Sequence, residues 1–247
     1  MEESHSPAAS APALIPAVQV TQQAQVVQAA NGIFYASFGE TKPAGEGLER
    51  IVQAVPAGVA GALSKRAYYF VPLTIAENDE VQIAPDYSRE LSDRAICHKN
   101  FEFGSAKCTF ISTRIMQDRF ALAFELFINV GHHFVEAVGV PESFHDLVWA
   151  QAQSQVRGET SHDAWEYRQR AMGGDEKAKT QFFEAAFADA LAVYMLAMTV
   201  DFDYHDLRER EYTLLAASSL AERLRHVAGL FPPNAGYEFE IRYRRRG

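Results

Sequence analysis

Imidazole and carboxylate side chains gather on one stretch of the chain, Asp118 to Val138, DRFALAFELFINVGHHFVEAV. Asp118, Glu125, Asn129, His132 and Glu136 follow one another at steps of seven, four, three and four residues. Such steps keep side chains on one face of a helix. His133 sits beside that line. Imidazole nitrogen and carboxylate oxygen together suit zinc or iron. The same line also fits the solvated face of an amphipathic helix, or a buried polar network without metal. Two features pull toward a site. The line holds no Lys or Arg after Arg119, and the adjacent histidines directly follow Gly131, where Ala would favour a helix by about 1 kcal/mol.

A second stretch, FFEAAFADALAVYMLAMTV over 182–200, has Asp189 as its one charge between Ala185 and Val200. Burying an ionised carboxylate without a partner costs several kcal/mol. Asp189 therefore calls for a histidine, an arginine, a helix N-terminus or a metal, and orienting a ligand histidine is the functional version of that role. Glu184 lies five residues earlier, well round the helix, so the two do not read as a simple pair on one ion. Tyr194 reads as core. The candidates are Glu125 and Glu136 for acid–base work, and His132, His133, Glu184 and Asp189 for a metal. Elsewhere, Cys97-His98 reads as local structure, His145 and Trp149 are spaced to pack on each other, and Thr160-Ser161-His162-Asp163 reads as a helix start capped by Ser161 or Thr160.

The elements that position these groups come strands first, helices later, with one strand at the end. That order predicts an α+β fold, one domain over 18–247 after an Ala/Pro/Ser-rich lead-in over 1–17. A helix is predicted from Thr21 to the Asn31-Gly32 stop, then a short strand in IFYASFG and a helix in GLERIVQAV that stops before Pro56. AYYFVPLTIAE and EVQIAPDY alternate and read as a hairpin over about 67–87, with Pro72 suggesting an edge position. SRELSDRAICHKNFEFG reads as loop with a short helix, and KCTFISTRI as a strand over about 107–115. The central helix over 117–138 ends near Gly139. Helices follow in PESFHDLVWAQAQSQVRG and SHDAWEYRQRAMGG, over 176–200, and from about Asp206 to Leu230. The last has Glu209, Arg210, Glu222, Arg223 and Arg225 on its wet side. YEFEIRYRR alternates and predicts a final strand.

A net charge of −9 argues against general nucleic-acid binding through phosphates. The basic cluster Arg242, Arg244, Arg245 and Arg246 reads as a solvated tail. Two cysteines, Cys97 and Cys108, are too few for a disulfide framework and are expected reduced and buried. No apolar run reaches the roughly 18 uncharged residues of a membrane span. Acidic residues near the start, where an export signal carries positive charge, set the expectation of a cytoplasmic protein. There is no G-x-S-x-G, P-loop or G-x-G-x-x-G, which argues against the usual serine hydrolase, ATPase or Rossmann dehydrogenase.

A strand (KCTFISTRI), a helix ending in Gly-His-His and a later helix with Ala188-Asp189-Ala190-Leu191-Ala192 together resemble the zincin metallopeptidases. Members of that family carry H-E-x-x-H on one helix and A-D-x-x-A on a later one. The aligned residues here are Ile128, Asn129, Val130, Gly131, His132 and His133. The resemblance covers about 107–200 and implies a zincin-like layout with His132 as the second zinc histidine. Ile128 stands where the first histidine belongs and Asn129 where the general base belongs, and neither can do that work. Glu184 is near, not at, the position of the third ligand. The implied function is a metallopeptidase-related protein with a degenerate motif, either metal-binding and hydrolase-like or inactive, acting on a small molecule or peptide.

Two other classes fit the same residues. Glu125, His132, Glu184, Asp201 and His205 resemble the ligand set of helical di-iron oxygenases, although the predicted strands count against an all-helical enzyme. A non-catalytic module that binds a protein partner is the third. Burial or exposure of the His132/His133 line discriminates among them.

Overall fold

Which way the side chains of two strands point decides how this chain is layered. The structure is a computed structural model and describes residues 14–39, 46–75, 81–83, 96–114, 119–207 and 212–242. In chain order the elements are β1 (Ile15–Pro16), α1 (Ala17–Gln23), β2 (Val27–Gln28), β3 (Phe34–Ser37), α2 (Glu46–Gln53), α3 (Ala57–Ala62), β4 (Arg66–Val71), β5 (Leu73–Ile75), β6 (Val81–Ile83), β7 (His98–Phe103), β8 (Ala106–Ser112), α4 (Arg119–Val138), α5 (Glu142–Gln153), α6 (His162–Met172), α7 (Glu176–Ala197) and α8 (Ala217–Leu230). The fold class is α+β, with the strand-rich part first and the helices after it.

The larger sheet has the order β2-β3-β4-β8-β7. β3, β4 and β8 run parallel, and β2 and β7 are antiparallel at the two edges. A smaller sheet, β1-β6-β5, is antiparallel. Successive side chains of a strand point to opposite faces. In β4, Tyr68 and Phe70 therefore enter a core shared with the helices, while Tyr69 and Val71 enter a second core under β1, β5 and β6. In β8, Ile111 goes to the first core, and Cys108 and Phe110 to the second. A parallel centre covered on both faces explains why these strands read as nearly continuous apolar runs.

α7 is the axis of the helical layer, buried almost without interruption from Ala185 to Leu196. α4 crosses it at Gly131, where a Cβ would stand 2.6 Å from the Ala188 carbonyl oxygen. This close crossing requires the glycine, whatever lies beside it on the helix. α4 closes at Gly139, which adopts φ 78° and donates its N–H to the Val135 carbonyl. Ser161 caps α6, accepting from the Ala164 N–H at 3.1 Å.

Several expectations are corrected. The hairpin predicted over 67–87 pairs only β5 with β6. Residues 66–71 belong to the central sheet, and Pro72, with no N–H to give, separates the two strands. Its turn and its end (76–80 and 84–87) lie outside the described residues. Residues 98–103 form the strand β7, not loop or helix. The first helix is α1, which ends at Gln23, and Val27–Gln28 is strand. β1 shows paired structure inside the stretch read as a lead-in; residues 1–13 lie outside the described residues.

The last helix begins only at Ala217, after a 3-10 turn over Tyr204–Leu207. Glu209 and Arg210 lie outside the described residues. No strand forms over 237–242. Tyr237, Phe239 and Ile241 alternate because one side of an extended segment packs on the helical core, and that needs no ladder partner. His145 and Trp149 each pack on Phe183. Cys108 is buried as expected, Cys97 is exposed, and neither is in a disulfide. Among the described residues no helix is long and apolar enough to cross a membrane.

Candidate functional site

The polar line of α4 faces the sheet at its β7 edge, and the strands supply its partners. Arg66, buried at the start of β4, donates from Nη2 to Glu136 Oε2 at 3.0 Å and from Nη1 to Thr109 Oγ1 at 3.1 Å. Lys107 donates to the other Glu136 oxygen at 2.5 Å. The Lys107 hydrogen bond, aided by the charges of Arg66 and Lys107, holds the Glu136 carboxyl below the usual carboxylate range. A carboxylate gripped by two cations is a poor proton acceptor, so the acid–base role expected of Glu136 is not supported.

Glu125 is placed differently. Its Oε1 lies 2.5 Å from His98 Nδ1 on β7 and accepts from the Asn129 side-chain amide at 3.0 Å. That amide also donates to the Glu125 backbone carbonyl at 2.8 Å. Asn129 is thus buried and doubly engaged, while Ile128 packs on the core. The carboxylate orients an imidazole whose other nitrogen is left for solvent or a ligand, as a base-orienting partner does.

The adjacent histidines part company, because neighbours on a helix point about 100° apart. His133 is buried, and its Nδ1 shares a hydrogen bond with the Tyr68 hydroxyl at 3.1 Å. Burial, with Arg66 next in weight, pushes its pKa down to about 3, so the ring is neutral at physiological pH. His132 is exposed. Loss of water and the nearby His98 lower its pKa, while Asp163 and Glu125 act in the opposite direction.

The other candidates lie elsewhere. Glu184 is exposed on α7. Asp189 is buried and accepts from the Thr160 hydroxyl at 2.9 Å, with a second side-chain hydrogen bond from Ser161. Burial outweighs both bonds and raises its pKa to about 6. Of the partners foreseen, a histidine, an arginine, a metal or a helix N-terminus, its hydrogen-bond partners come closest to the last: they are hydroxyls at the N-terminal cap of α6. Asp118 lies outside the described residues. Asp201 and His205 are exposed beyond the end of α7.

A second cluster surrounds Asp189, and sequence reasoning missed it. Glu159 is fully buried and bonds Arg223 through both oxygens, at 2.8 and 3.1 Å, and Arg168 at 3.1 Å. Arg223 also donates to Gln151 Oε1 at 2.8 Å, and Arg168 to the Val156 carbonyl at 2.7 Å. Arg223, expected on the wet side of its helix, has an exposure of 0%. The available signal was Gly158. Its φ is 79°, and a Cβ there would meet the Leu214 carbonyl oxygen at 2.0 Å, so residues 157–160 run tightly against 213–216.

His132, His133, Glu184 and Asp189 thus occupy separate environments. Among the described residues, no group of three or more His, Cys, Asp or Glu side chains is placed to hold a metal ion. The donors that a zincin site requires do not come together among the described residues. His98 on β7 and Glu125 and His132 on α4 share one face that keeps access to solvent. No protein-family model, no curated protein and no solved structure matches the chain.

Proposed function

We propose that this chain is a zincin-related protein whose hydrolytic motif is degenerate and whose α4–β7 face binds a peptide or protein segment without cleaving it. The observation that carries the reading is Asn129: its amide is buried and bonded to Glu125 twice, at the position where the resemblance calls for a general base. Ile128, at the position of the first zinc histidine, offers no donor atom. The sequence of a strand (β8), the motif helix (α4) and the A-D-x-x-A helix (α7) supports the relationship. β7 pairs only with β8 among the described strands, with His98 and Glu125 beside it, and this supports binding along that edge.

A second reading keeps the hydrolase branch alive through one observation, the His98–Glu125 pair with His132 in electrostatic contact.

Metal content of the untagged protein, and peptide cleavage with and without a chelator, test the proposal. Protein without stoichiometric zinc or chelator-sensitive cleavage is the expected result. One equivalent of zinc, lost in His132→Ala, overturns it in favour of the hydrolase-like reading, and two equivalents of iron would point to the oxygenase class.

A further inference from the structure

Far along α7 from Asp189, the chain leaves a space that the proposed function does not use. A cavity of about 870 Å³ lies between the C-terminal half of α7, α8 and the extended segment 233–242. Its size falls within the range of pockets that hold drug-sized ligands. Val193, Ala197, Leu220 and Leu224 form its floor, and Phe202 and Phe239 add aromatic surface.

The charges in its lining are Arg50, Asp201, Glu238, Glu240 and Arg242, and all five residues are exposed at the rim. Both signs are present there, so the mouth does not favour an ion of either sign. Three of the inner polar side chains already donate within the protein. Thr199 Oγ1 donates to the Leu196 carbonyl at 3.0 Å, and the Tyr237 hydroxyl to the Arg50 carbonyl at 2.6 Å. The Asn234 amide donates to the carbonyls of Gln53 and Val55 at 2.8 and 2.7 Å, and its oxygen accepts from the Ala57 N–H at 3.0 Å. The Tyr204 hydroxyl is the exception: it is shielded from solvent and has no hydrogen-bond partner, with Tyr212, Arg223, Glu159 and Asp189 as its electrostatic neighbours.

From an apolar floor, inner side-chain donors that are engaged apart from Tyr204, and a rim of mixed charge, we infer that this cavity is a binding site for a neutral small molecule with a broad apolar face. Recognition is by shape and apolar contact rather than by a charged head group. The same bonds through Asn234 and Tyr237 that use up those inner donors also fasten the roof to α2 and the α2–α3 corner, which keeps the space open. The site shares no residue with the α4–β7 face, so either assignment can fail without the other.

The test is fluorescence titration of the full chain with the neutral probe N-phenyl-1-naphthylamine. Saturable binding of one probe per chain is expected. Ala197→Trp, at a half-buried position, and Ala217→Trp, at an exposed one in the first turn of α8, fill the cavity without replacing a core side chain. Each should weaken binding by at least about tenfold with the circular dichroism spectrum retained. The anionic probe 1-anilinonaphthalene-8-sulfonate should bind more weakly than the neutral one. Absence of saturable binding to the wild-type chain, unchanged affinity in a folded Trp variant, or preference for the sulfonate would each overturn the assignment.

Discussion

Two polar clusters lie on either side of the α4–α7 crossing, and they are built in opposite ways. At Glu159, Arg168 and Arg223 every charge is enclosed and met by another charge or a carbonyl. Along α4, Glu125 and Glu136 reach partners on the strands, while His98 and His132 keep access to solvent. Burial strengthens electrostatic interactions and raises the cost of breaking one. The first arrangement therefore holds the fold, and the second has atoms left over for a ligand. Charge type alone does not separate them; enclosure does.

The sharpest way to break this contrast is to remove one partner from the enclosed side. Arg223→Ala leaves Glu159 with half its compensation and removes the donor to Gln151. The expected loss is about 3–5 kcal/mol of unfolding free energy, read from urea denaturation. Arg223→Met, which retains volume, suffers the same uncompensated charge, whereas a combined replacement of Glu159, Arg168 and Arg223 by apolar residues should recover part of the loss. If Arg223→Ala unfolds at the wild-type denaturant midpoint, the cluster is not structural.

This cluster also marks where the sequence stopped being informative. The long apolar run of α4 and the single charge of α7 were enough to locate both helices, because periodicity is a local property. The cap at Ser161 was equally local. Arg223, by contrast, looks like any charged residue on an amphipathic helix until Glu159 arrives from 64 positions away. The fate of His132 and His133 was unreadable for a related reason: a small rotation of α4 decides which of two neighbours faces Tyr68. In the C-terminal segment, alternation reported correctly that one side is covered, but it carries no information about whether the cover is a strand or a pair of helices.

Acid titration separates the clusters by sign. His133 has a folded pKa of about 3, below the usual 6.5. Its contribution is therefore complete above pH 6.5 and is lost as pH falls toward 3, roughly 2.5 kcal/mol of it between pH 7 and 4.5. Asp189 has a folded pKa of about 6, above the usual 3.8. Its contribution is complete below pH 3.8 and is lost as pH rises through 6, so acidification from pH 7 to 4.5 restores roughly 2 kcal/mol. The two effects largely offset in the wild type. Relative to it, Asp189→Asn should lose more stability on acidification, and His133→Gln should lose less or gain. Parallel pH profiles for all three proteins would show that neither group titrates as its surroundings dictate.

A smaller change probes the junction between the clusters. Gly131→Ala gains helix preference of about 1 kcal/mol, but its Cβ meets the Ala188 carbonyl oxygen at 2.6 Å, a backbone atom that cannot step aside alone. The net expectation is destabilisation of about 1–2 kcal/mol, with α4 displaced from α7. Because Ala188 adjoins Asp189 and Gly131 adjoins His132, both clusters should register the shift in their histidine and hydroxyl NMR signals. A Gly131→Ala variant more stable than the wild type would mean that the crossing is looser than its geometry requires.

The least disruptive substitution asks the most of the contrast. His98 bonds Glu125, yet its side chain is 42% exposed. A partly solvated pair of this kind contributes about 0.2–1 kcal/mol, so His98→Ala should shift the thermal midpoint only slightly. Its effect belongs on binding: the variant removes the imidazole that Glu125 orients and leaves Glu125 held by Asn129. Peptides selected for affinity to the wild-type chain, assayed against both proteins, should discriminate strongly between them while unfolding curves do not. If stability falls as far as in Arg223→Ala, then the α4 face is a structural cluster like the other, and its exposure has no functional meaning.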